Sequence, residues 1–280
     1  MSILTSIFAA RQIRALKAAF ASLLAVVELL GVVLFDTAQT PRGQHLNLAG
    51  YKLVMEDNFD GSTLDLSKWE YRANGAVNAG FQSPDQVWVQ DGNLRMKAVY
   101  RADGPYGAGM YAGEIRTIKE YTRGYFECRC ICSEGGGLWS AFWMNSTGMS
   151  SAEASNGGLG GAEIDIFEAN NYTGNFISRN TVTHAVHVGG YGTGLHSENE
   201  GSYRVPNPYT QYNTYGMEWN ENEYIFYING VETLRTSFEK GVSQAPEYVI
   251  LTLCLPPEFP ANPGVANNFI VDYVKIYQKG

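Results

Sequence analysis

The sequence predicts an all-β protein, folded as a two-sheet antiparallel β-sandwich. Three observations support this. Short apolar runs recur after residue 50, turn-forming residues separate them, and none of the runs has the length or period of a long helix. Runs rich in Val, Ile, Thr, Tyr and Phe are typical of strands. Two packed sheets are the simplest arrangement for about a dozen short strands.

The predicted strands follow one another along the chain, and two pairs are joined by hairpin turns. The turns lie at Asp91-Gly92-Asn93 and Asn229-Gly230, where tight connections need the positive φ that Asn, Asp and Gly tolerate. Hairpin connections make neighbouring strands antiparallel. The predicted strands cover residues 51–55, 87–90, 93–100, 113–118, 124–133, 163–168, 181–188, 214–219, 224–228, 248–255 and 269–277.

Composition limits the domain count and the kinds of partner. A chain of 280 residues, 45% hydrophobic and 13% aromatic, can bury one sizeable core. We expect one catalytic domain over residues 49–280, acting as a monomer. The net charge of -8 argues against a nucleic-acid partner, because binding to phosphates depends on clustered Lys and Arg. A neutral polymer fits this charge better.

Three of the four cysteines alternate along one predicted strand. Cys128, Cys130 and Cys132 therefore share a face with parallel side chains, a poor geometry for disulfides between neighbours. We expect buried free thiols. A zinc site is the less favoured alternative, since zinc ligands usually follow C-x2-C spacing from a turn.

Residues 1–48 have the pattern of a basic and apolar leader or anchor followed by a linker at 39–48. Three basic residues precede an apolar run at 18–35, which contains Glu28 and is short for a spanning helix. We expect a secreted or cell-surface-anchored protein, with membrane contact through residues 18–35. An amphipathic helix that lies on the domain or on the membrane surface is the alternative, since no clean cleavage site follows.

The most informative segment is residues 161–170, which places three acids among apolar residues. Glu163 and Asp165 point to one face of a strand, because residues two apart share a face. Glu168 has the opposite parity, and a regular strand would turn it into the apolar face. One extra residue in a β-bulge restores it, and all three acids then line one surface.

This arrangement of acids is typical of a glycosidase. Retaining glycosidases use two carboxyl groups about 5 to 5.5 Å apart, one as nucleophile and one as acid/base. The short reach between Glu163 and Glu168 favours retention. The alternative is an edge strand whose acids alternate by chance on a solvated face.

Several motifs together resemble glycoside hydrolase family 16, in the family's order and over about residues 51–279. The resemblance implies a concanavalin-like jelly roll and retaining cleavage of β-linked polysaccharides. The E-x-D-x-x-E spacing resembles the bulged, laminarinase-like branch. The motifs that carry the resemblance are at residues 56–61, 89–94, 124–127, 137–143, 163–168, 215–219 and 272–277.

The resemblance implies roles for the three acids. Glu163 would be the nucleophile and Glu168 the acid/base. Asp165 would hydrogen-bond the nucleophile and help keep it charged while Glu168 holds a proton. Two-carboxylate catalysis needs this divergence of pKa values. Catalysis would need no cofactor.

The resemblance also implies substrate-binding residues. Trp139 and Trp143 match positions beside the cleft, where an indole can stack on a sugar, although either could instead fill the core. His187 matches a histidine near the catalytic strand. His184, three residues away, lies on the opposite face, which argues against a metal pair. Trp219 is ambiguous between core and subsite.

A structural calcium ion is a further implication of the resemblance. Backbone carbonyls at Asn58 and Gly92 and the carboxylate of Asp272 would hold it, and oxygen ligands suit calcium. A buried or turn-capping Asp272 without calcium is the alternative.

The function predicted from the sequence is a retaining endo-β-glycanase, most favourably one that acts on β-1,3-glucan or a related β-glucan. A non-catalytic lectin of the same fold and a transglycosylase using the same residues are the alternatives. Loops at 72–85 and 189–207 are expected to select the substrate. Their few basic residues, Arg72 and Arg204, argue mildly against sulfated polymers.

Overall fold

The computed structural model describes residues 38–134, 138–150, 156–170, 180–255 and 268–280. These residues belong to one compact unit, Ala38–Gly280. The predicted leader and its apolar run at 18–35 lie outside the described residues. Within the described part of the chain, no helix is long and apolar enough to cross a membrane.

The regular secondary structure of the described residues is β-strand, apart from two short 3-10 helices at Pro84–Gln86 and Thr147–Ser150. This confirms the all-β prediction. The strands are β1 (Tyr51–Asp57), β2 (Trp69–Tyr71), β3 (Gly75–Val77), β4 (Gly80–Gln82), β5 (Val87–Gln90), β6 (Asn93–Met96), β7 (Val99–Arg101), β8 (Gly109–Ala112), β9 (Glu114–Thr117), β10 (Gly124–Ile131), β11 (Trp139–Asn145), β12 (Glu163–Asn170), β13 (Thr181–Val188), β14 (His196–Arg204), β15 (Asn213–Trp219), β16 (Tyr224–Ile228), β17 (Val231–Thr236), β18 (Tyr248–Cys254) and β19 (Phe269–Lys279).

Two large antiparallel sheets pack face to face, which confirms the predicted sandwich. Sheet A has the order β14-β13-β12-β11-β18-β9-β2, and sheet B has the order β17-β16-β15-β10-β19-β6-β5 with β1 paired to β19. The core lies between them. Phe167 of sheet A stacks on Tyr215 of sheet B at a ring-centroid distance of 3.9 Å. Because each strand alternates, the other face of sheet A is available for a binding site.

Both predicted hairpin turns are present. Asp91 and Gly92 connect β5 to β6 with φ values of 54° and 67°, and Asn229 and Gly230 connect β16 to β17 with 50° and 71°. Positive φ at both central residues matches the right-handed twist of the flanking strands. Local turn chemistry therefore determines these two registers.

A small third sheet, β3-β4-β8-β7, was not predicted and replaces part of the expected loop at 72–85. Two side chains attach it to sheet A: Gln82 donates to the carbonyl of Leu253 and Asn78 to that of Leu255. Within this sheet, Gly80 permits the close pairing of β4 with β8, since a Cβ there would lie 2.4 Å from the carbonyl oxygen of Met110. The sheet forms one end of the cleft described below.

Residues 38–48 lie against the domain, whereas the sequence predicted a linker. Gln39 hydrogen-bonds through its backbone to β14, and the backbone amides of Gly43 and Leu46 donate to carbonyls at Glu232 and Gly230. Leu46 and Leu48 also pack against a cluster of buried residues on sheet B. Backbone pairing and apolar contact hold this segment, neither of which composition alone reveals.

The cysteine prediction is confirmed. Cys128 and Cys130 on β10, and Cys132 just after it, are free and buried. Burial raises the pKa of Cys128, so that thiol stays protonated. The cysteines therefore act as small apolar side chains in the core.

Candidate active site

The predicted bulge lies in β12 and determines which face of the sheet its acids occupy. Across β11, Phe142 pairs with Phe167 and Trp143 pairs with Asp165, which leaves Ile166 as the extra residue. Ile166 and Phe167 are both fully buried. The extra residue shifts the alternation of β12, so residues after the bulge point to the opposite faces from those that a regular strand would give after Asp165.

His184 supports this bulge from the core side. Its Nδ1 lies 2.6 Å from the carbonyl oxygen of Ile166. Burial lowers the pKa of His184 to about 4, so the ring is neutral. This places His184 opposite His187 on β13, as the sequence predicted, and gives it a structural role.

Glu163, Asp165 and Glu168 line one cleft on the outer face of sheet A. The cavity measures about 490 Å³, which suits a sugar-binding site. Its lining combines the acids of β12 with aromatic, polar and apolar residues from five other regions of the chain. The residues are Arg72, Ala73, Val77, Asn78, Glu114, Trp139, Ala141, Trp143, Glu163, Asp165, Glu168, Tyr191, Thr252 and Cys254.

Glu163 stands between three partners. Its Oε2 accepts hydrogen bonds from the Tyr191 hydroxyl and from Asn145 Nδ2, the latter at 3.3 Å. Its Oε1 lies 3.8 Å from His187 Nε2. Burial raises the pKa of Glu163, while the hydrogen bond from Tyr191 and the charge of His187 act in the opposite direction. On balance burial dominates and the pKa of Glu163 lies above its ordinary value, while Tyr191 and His187 limit the rise.

Asp165 is paired with His187. His187 Nε2 lies 3.0 Å from Asp165 Oδ2, and its Nδ1 lies 2.6 Å from the hydroxyl oxygen of Ser197. Burial alone would lower the pKa of His187, but the hydrogen bond with Asp165 and the nearby acids raise it. Burial raises the pKa of Asp165 to about 6. His187 therefore contacts the acids. It is not among the described residues that line the cleft, which differs from the substrate-binding role that the resemblance implied.

Glu168 is the acid most strongly biased towards its protonated form. Burial, followed by the charge of Asp165, raises its pKa to about 8. Trp139 Nε1 donates to Glu168 Oε1 at 2.9 Å, which orients the carboxyl group and partly offsets the rise. Near neutral pH, Glu168 therefore holds a proton that it can donate, while the partners of Glu163 favour its charged form. General-acid catalysis beside a nucleophile requires this combination.

The tryptophans predicted to lie beside the cleft are both there. Trp139 contacts Glu168, as described above. Trp143 donates through Nε1 to Thr252 Oγ1 at 3.0 Å, and the guanidinium of Arg72 lies 5.1 Å from its ring centroid. Arg72 is also ion-paired with Glu114, which is only 5% exposed. The four residues Arg72, Glu114, Trp143 and Thr252 form one wall of the cleft.

Trp219 was a predicted substrate-binding residue, and the structure places it in the core. It lies on β15 of sheet B and is fully buried, with ring centroids of Phe126 and Tyr224 at 6.5 and 6.1 Å. It does not line the cleft. The period of β15 turns its odd-numbered positions towards the core, and Trp219 follows Tyr215 and Met217 onto that face.

Of the residues implied for calcium, Asp272 would supply the charged ligand. The carboxylate of Asp272 accepts a hydrogen bond from Arg129 Nη1, so a guanidinium already takes the position of a cation there. Calcium remains a prediction of the resemblance. Elsewhere, Glu163, Asp165 and His187 offer atoms within 4.8 Å of one another, and His187 Nε2 already lies 3.0 Å from Asp165 Oδ2.

Two residues in contact with Glu163 were missed from the sequence. Asn145 follows Trp139, Ala141 and Trp143 at intervals of two on β11, and this alternation could have placed it on the cleft face. Tyr191 lies among glycines between β13 and β14, where no period applies. Only the folded loop brings it to Glu163.

Comparison with known proteins gives the family of the chain. The family model for the GH16 domain of β-porphyranases A–D matches residues 52–278. The glucan endo-1,3-β-glucosidase A1 of Niallia circulans is 27% identical over 83% of this chain and 38% of its own length. The keratan-sulfate endo-1,4-β-galactosidase of Sphingobacterium multivorum is 28% identical over 81% of this chain and 55% of its own length. The chain thus spans about half the length of these relatives or less.

Solved structures establish the fold. A non-specific endo-β-1,3(4)-glucanase from family GH16 has a TM-score of 0.67 at 24% identity, covering 87% of this chain and 97% of that one. Porphyranase B from Zobellia galactanivorans has a TM-score of 0.69 at 18% identity, covering 85% and 99%. With the family model spanning nearly the whole described unit, the chain belongs to glycoside hydrolase family 16.

Proposed function

We propose that this protein is a retaining endo-β-glycanase in which Glu163 is the nucleophile and Glu168 the acid/base. The observation that carries the proposal is the contrast between the two carboxyl groups in one cleft. Glu168 has a pKa of about 8, whereas Glu163 receives two hydrogen bonds on one oxygen. Retaining hydrolysis needs a protonated acid and a charged nucleophile at the same pH.

The reaction would proceed in two steps. Glu163 attacks the anomeric carbon while Glu168 gives its proton to the departing glycosidic oxygen, and a covalent glycosyl-enzyme forms. Glu168, now ionised, takes a proton from water, which attacks the same carbon and releases Glu163. The 3.0 Å contact between His187 and Asp165 would keep these two groups paired while Glu163 and Glu168 change charge between the steps.

The substrate best supported is a neutral β-glucan, such as β-1,3-glucan. The cleft lining carries four carboxyl groups and one guanidinium, and that guanidinium is ion-paired with Glu114. An anionic polymer would meet this excess of acid, whereas a neutral sugar can stack on Trp143. The β-1,3-glucanase among the relatives agrees with this choice.

A sulfated galactan is the second candidate, and a specific observation favours it. Arg72 lies in the cleft wall over Trp143, where a guanidinium could meet a sulfate ester. The matching family model is named for β-porphyranases, and one relative is named for keratan sulfate. The pairing of Arg72 with the buried Glu114 argues against this reading.

The other two alternatives use the same fold. A lectin would have no need for an acid and a nucleophile with opposed ionisation, so the pair favours an enzyme. A transglycosylase would use the same first step and a sugar in place of water in the second. Analysis of products distinguishes it from a hydrolase.

The deciding experiment measures release of reducing sugars by the full chain on laminarin, lichenan, agarose, porphyran and carrageenan. Glu163→Gln is the control, since it preserves shape and removes the nucleophile. Release from laminarin that the variant abolishes supports the proposal. Release from porphyran alone would identify a sulfated galactan as the substrate. Binding without release on every polymer would contradict the proposal that the protein is an enzyme.

We also propose that the protein acts outside the cytoplasm or at the cell surface, as a monomer. Polysaccharides of this kind are too large to enter cells freely, and the basic and apolar pattern of residues 1–48 suits a leader or anchor. Fractionation of the expressed full chain, followed by sizing of the released form, tests this.

A further inference from the structure

Tyr191 contacts the nucleophile from a loop that no motif identified. The loop joins β13 to β14, and Val188 pairs with His196 at its base. Gly189 has a φ of 88°, and a Cβ there would lie 2.0 Å from the carbonyl oxygen of Gly194. The two glycines therefore close the loop on itself, and the chain between them projects Tyr191 towards the cleft.

A chain of hydrogen bonds fixes the direction of the Tyr191 hydroxyl. Asn145 Oδ1 accepts from the backbone amide of Ser146 at 2.7 Å, so its Nδ2 faces the cleft. Asn145 Nδ2 then donates to the Tyr191 oxygen at 2.5 Å. With that oxygen accepting from Asn145, the Tyr191 proton is directed to Glu163 Oε2. Successive bonds in such a chain strengthen one another.

The electrostatics of the cleft keep Tyr191 a donor. Burial, followed by the charge of Glu163, raises the pKa of the Tyr191 phenol. The phenol therefore stays protonated throughout the working range of the enzyme. Because it donates to a carboxylate, it stabilises the charged form of Glu163.

The two oxygens of Glu163 are consequently not equivalent. Oε2 accepts from both Tyr191 and Asn145, whereas Oε1 is 3.8 Å from His187 Nε2, beyond hydrogen-bond distance. A carboxylate held through one oxygen can present the other in a fixed direction. Attack on an anomeric carbon benefits from such orientation.

We propose that Tyr191 is a positioning residue that fixes the orientation of Glu163 and favours its ionised form, leaving Oε1 to attack. The inference rests on the proposed function, because it takes Glu163 as the nucleophile. The other groups that face Glu163 are Asn145 from β11, His187 from β13, Asp165 and Glu168 from its own strand, and Arg72 from the cleft wall.

The first test uses Tyr191→Phe, which removes only the hydroxyl. Carboxyl ¹³C NMR of glutamate-labelled protein, with the Glu163 signal assigned through Glu163→Gln, gives the pKa of Glu163 without substrate. Loss of a hydrogen bond to a charged group should raise that pKa by about one unit. Tyr100→Phe is the control, since Tyr100 is 59% exposed and does not line the cleft.

Kinetics on an accepted polysaccharide supply the second readout. Tyr191→Phe should lower kcat about tenfold, leave KM within about twofold, and move the acid limb of the pH profile upwards. An unchanged pKa of Glu163 together with an unchanged acid limb would overturn the proposal, even if the variant melts earlier. A shifted pKa in a protein that hydrolyses none of the polysaccharides would support the positioning role and contradict the proposed function alone.

A matched pair of glycine variants tests the loop without changing Tyr191 itself. Gly189→Ala meets both a positive φ and a backbone clash, and it should reproduce the kinetic effect of Tyr191→Phe. Gly192→Ala has nothing within 4 Å of its new Cβ and should retain the activity of the unmodified protein. Equal activity of both variants would contradict the role of the loop in placing Tyr191.

Discussion

Replacing Trp139 by Phe should raise the pKa of Glu168 and move the basic limb of the pH profile upwards. The change keeps an aromatic ring but removes the Nε1 donor, which lies 2.9 Å from Glu168 Oε1. Hydrogen bonds to charged groups contribute about 1.5 to 3 kcal/mol, and one pKa unit corresponds to about 1.4 kcal/mol. The expected rise is therefore roughly one to two units.

The direction of this pKa shift follows from which form of Glu168, charged or neutral, the indole stabilises. An N–H donor favours the carboxylate, so the native pKa of about 8 is lower than it would be without Trp139. Glycosylation needs protonated Glu168, and activity falls as pH rises through this pKa. With the donor gone, the fall should occur at higher pH.

The assay is the pH dependence of kcat/KM on the preferred polysaccharide. Trp143→Phe is the matched control, because Trp143 loses a comparable bond to the neutral hydroxyl of Thr252. It should weaken sugar binding without moving the basic limb. A basic limb that stays in place or moves down in Trp139→Phe would refute the reasoning about Glu168.

Three further predictions concern other parts of the protein. Trp219→Phe should destabilise the fold by about 1 to 3 kcal/mol and leave KM unchanged, since its ring is fully buried; a raised KM at an unchanged melting temperature would contradict this. Millimolar calcium should leave the melting temperature unchanged, because Arg129 already pairs with Asp272; a rise that Asp272→Ala abolishes would show the implied site instead. His187→Ala should move the acid limb of the pH profile upwards, because a positive charge beside Asp165 is lost, and an unmoved limb would count against that contact.

The parts of the structure set by local rules were predictable from the sequence. In a regular strand Asp165 and Glu168 would face opposite sides, so placing both on one face required an extra residue. The strand register confirms that residue at Ile166. The two hairpins followed from their Asp-Gly and Asn-Gly turns. In these cases, the backbone period or turn chemistry acts within a few residues, and no distant contact is needed.

The parts decided by distant contacts were not predictable. A tryptophan such as Trp219 can stack on a sugar, but the alternation of side chains along β15 turns Trp219 into the core. The third sheet consists of three- and four-residue strands rich in glycine, which carry little strand signal of their own. Tyr191 reaches Glu163 only because Gly189 and Gly194 close a loop, a contact across the fold that no period in the sequence encodes.

The central claim is that Glu163 and Glu168 act as nucleophile and acid/base in a double displacement. The most direct measurement is ¹H NMR of the first sugar released by the full chain, recorded before the product anomers equilibrate. For a double displacement, the β-anomer should appear first and Glu163→Gln should release none. The α-anomer appearing first, or release that persists in Glu163→Gln, would contradict it.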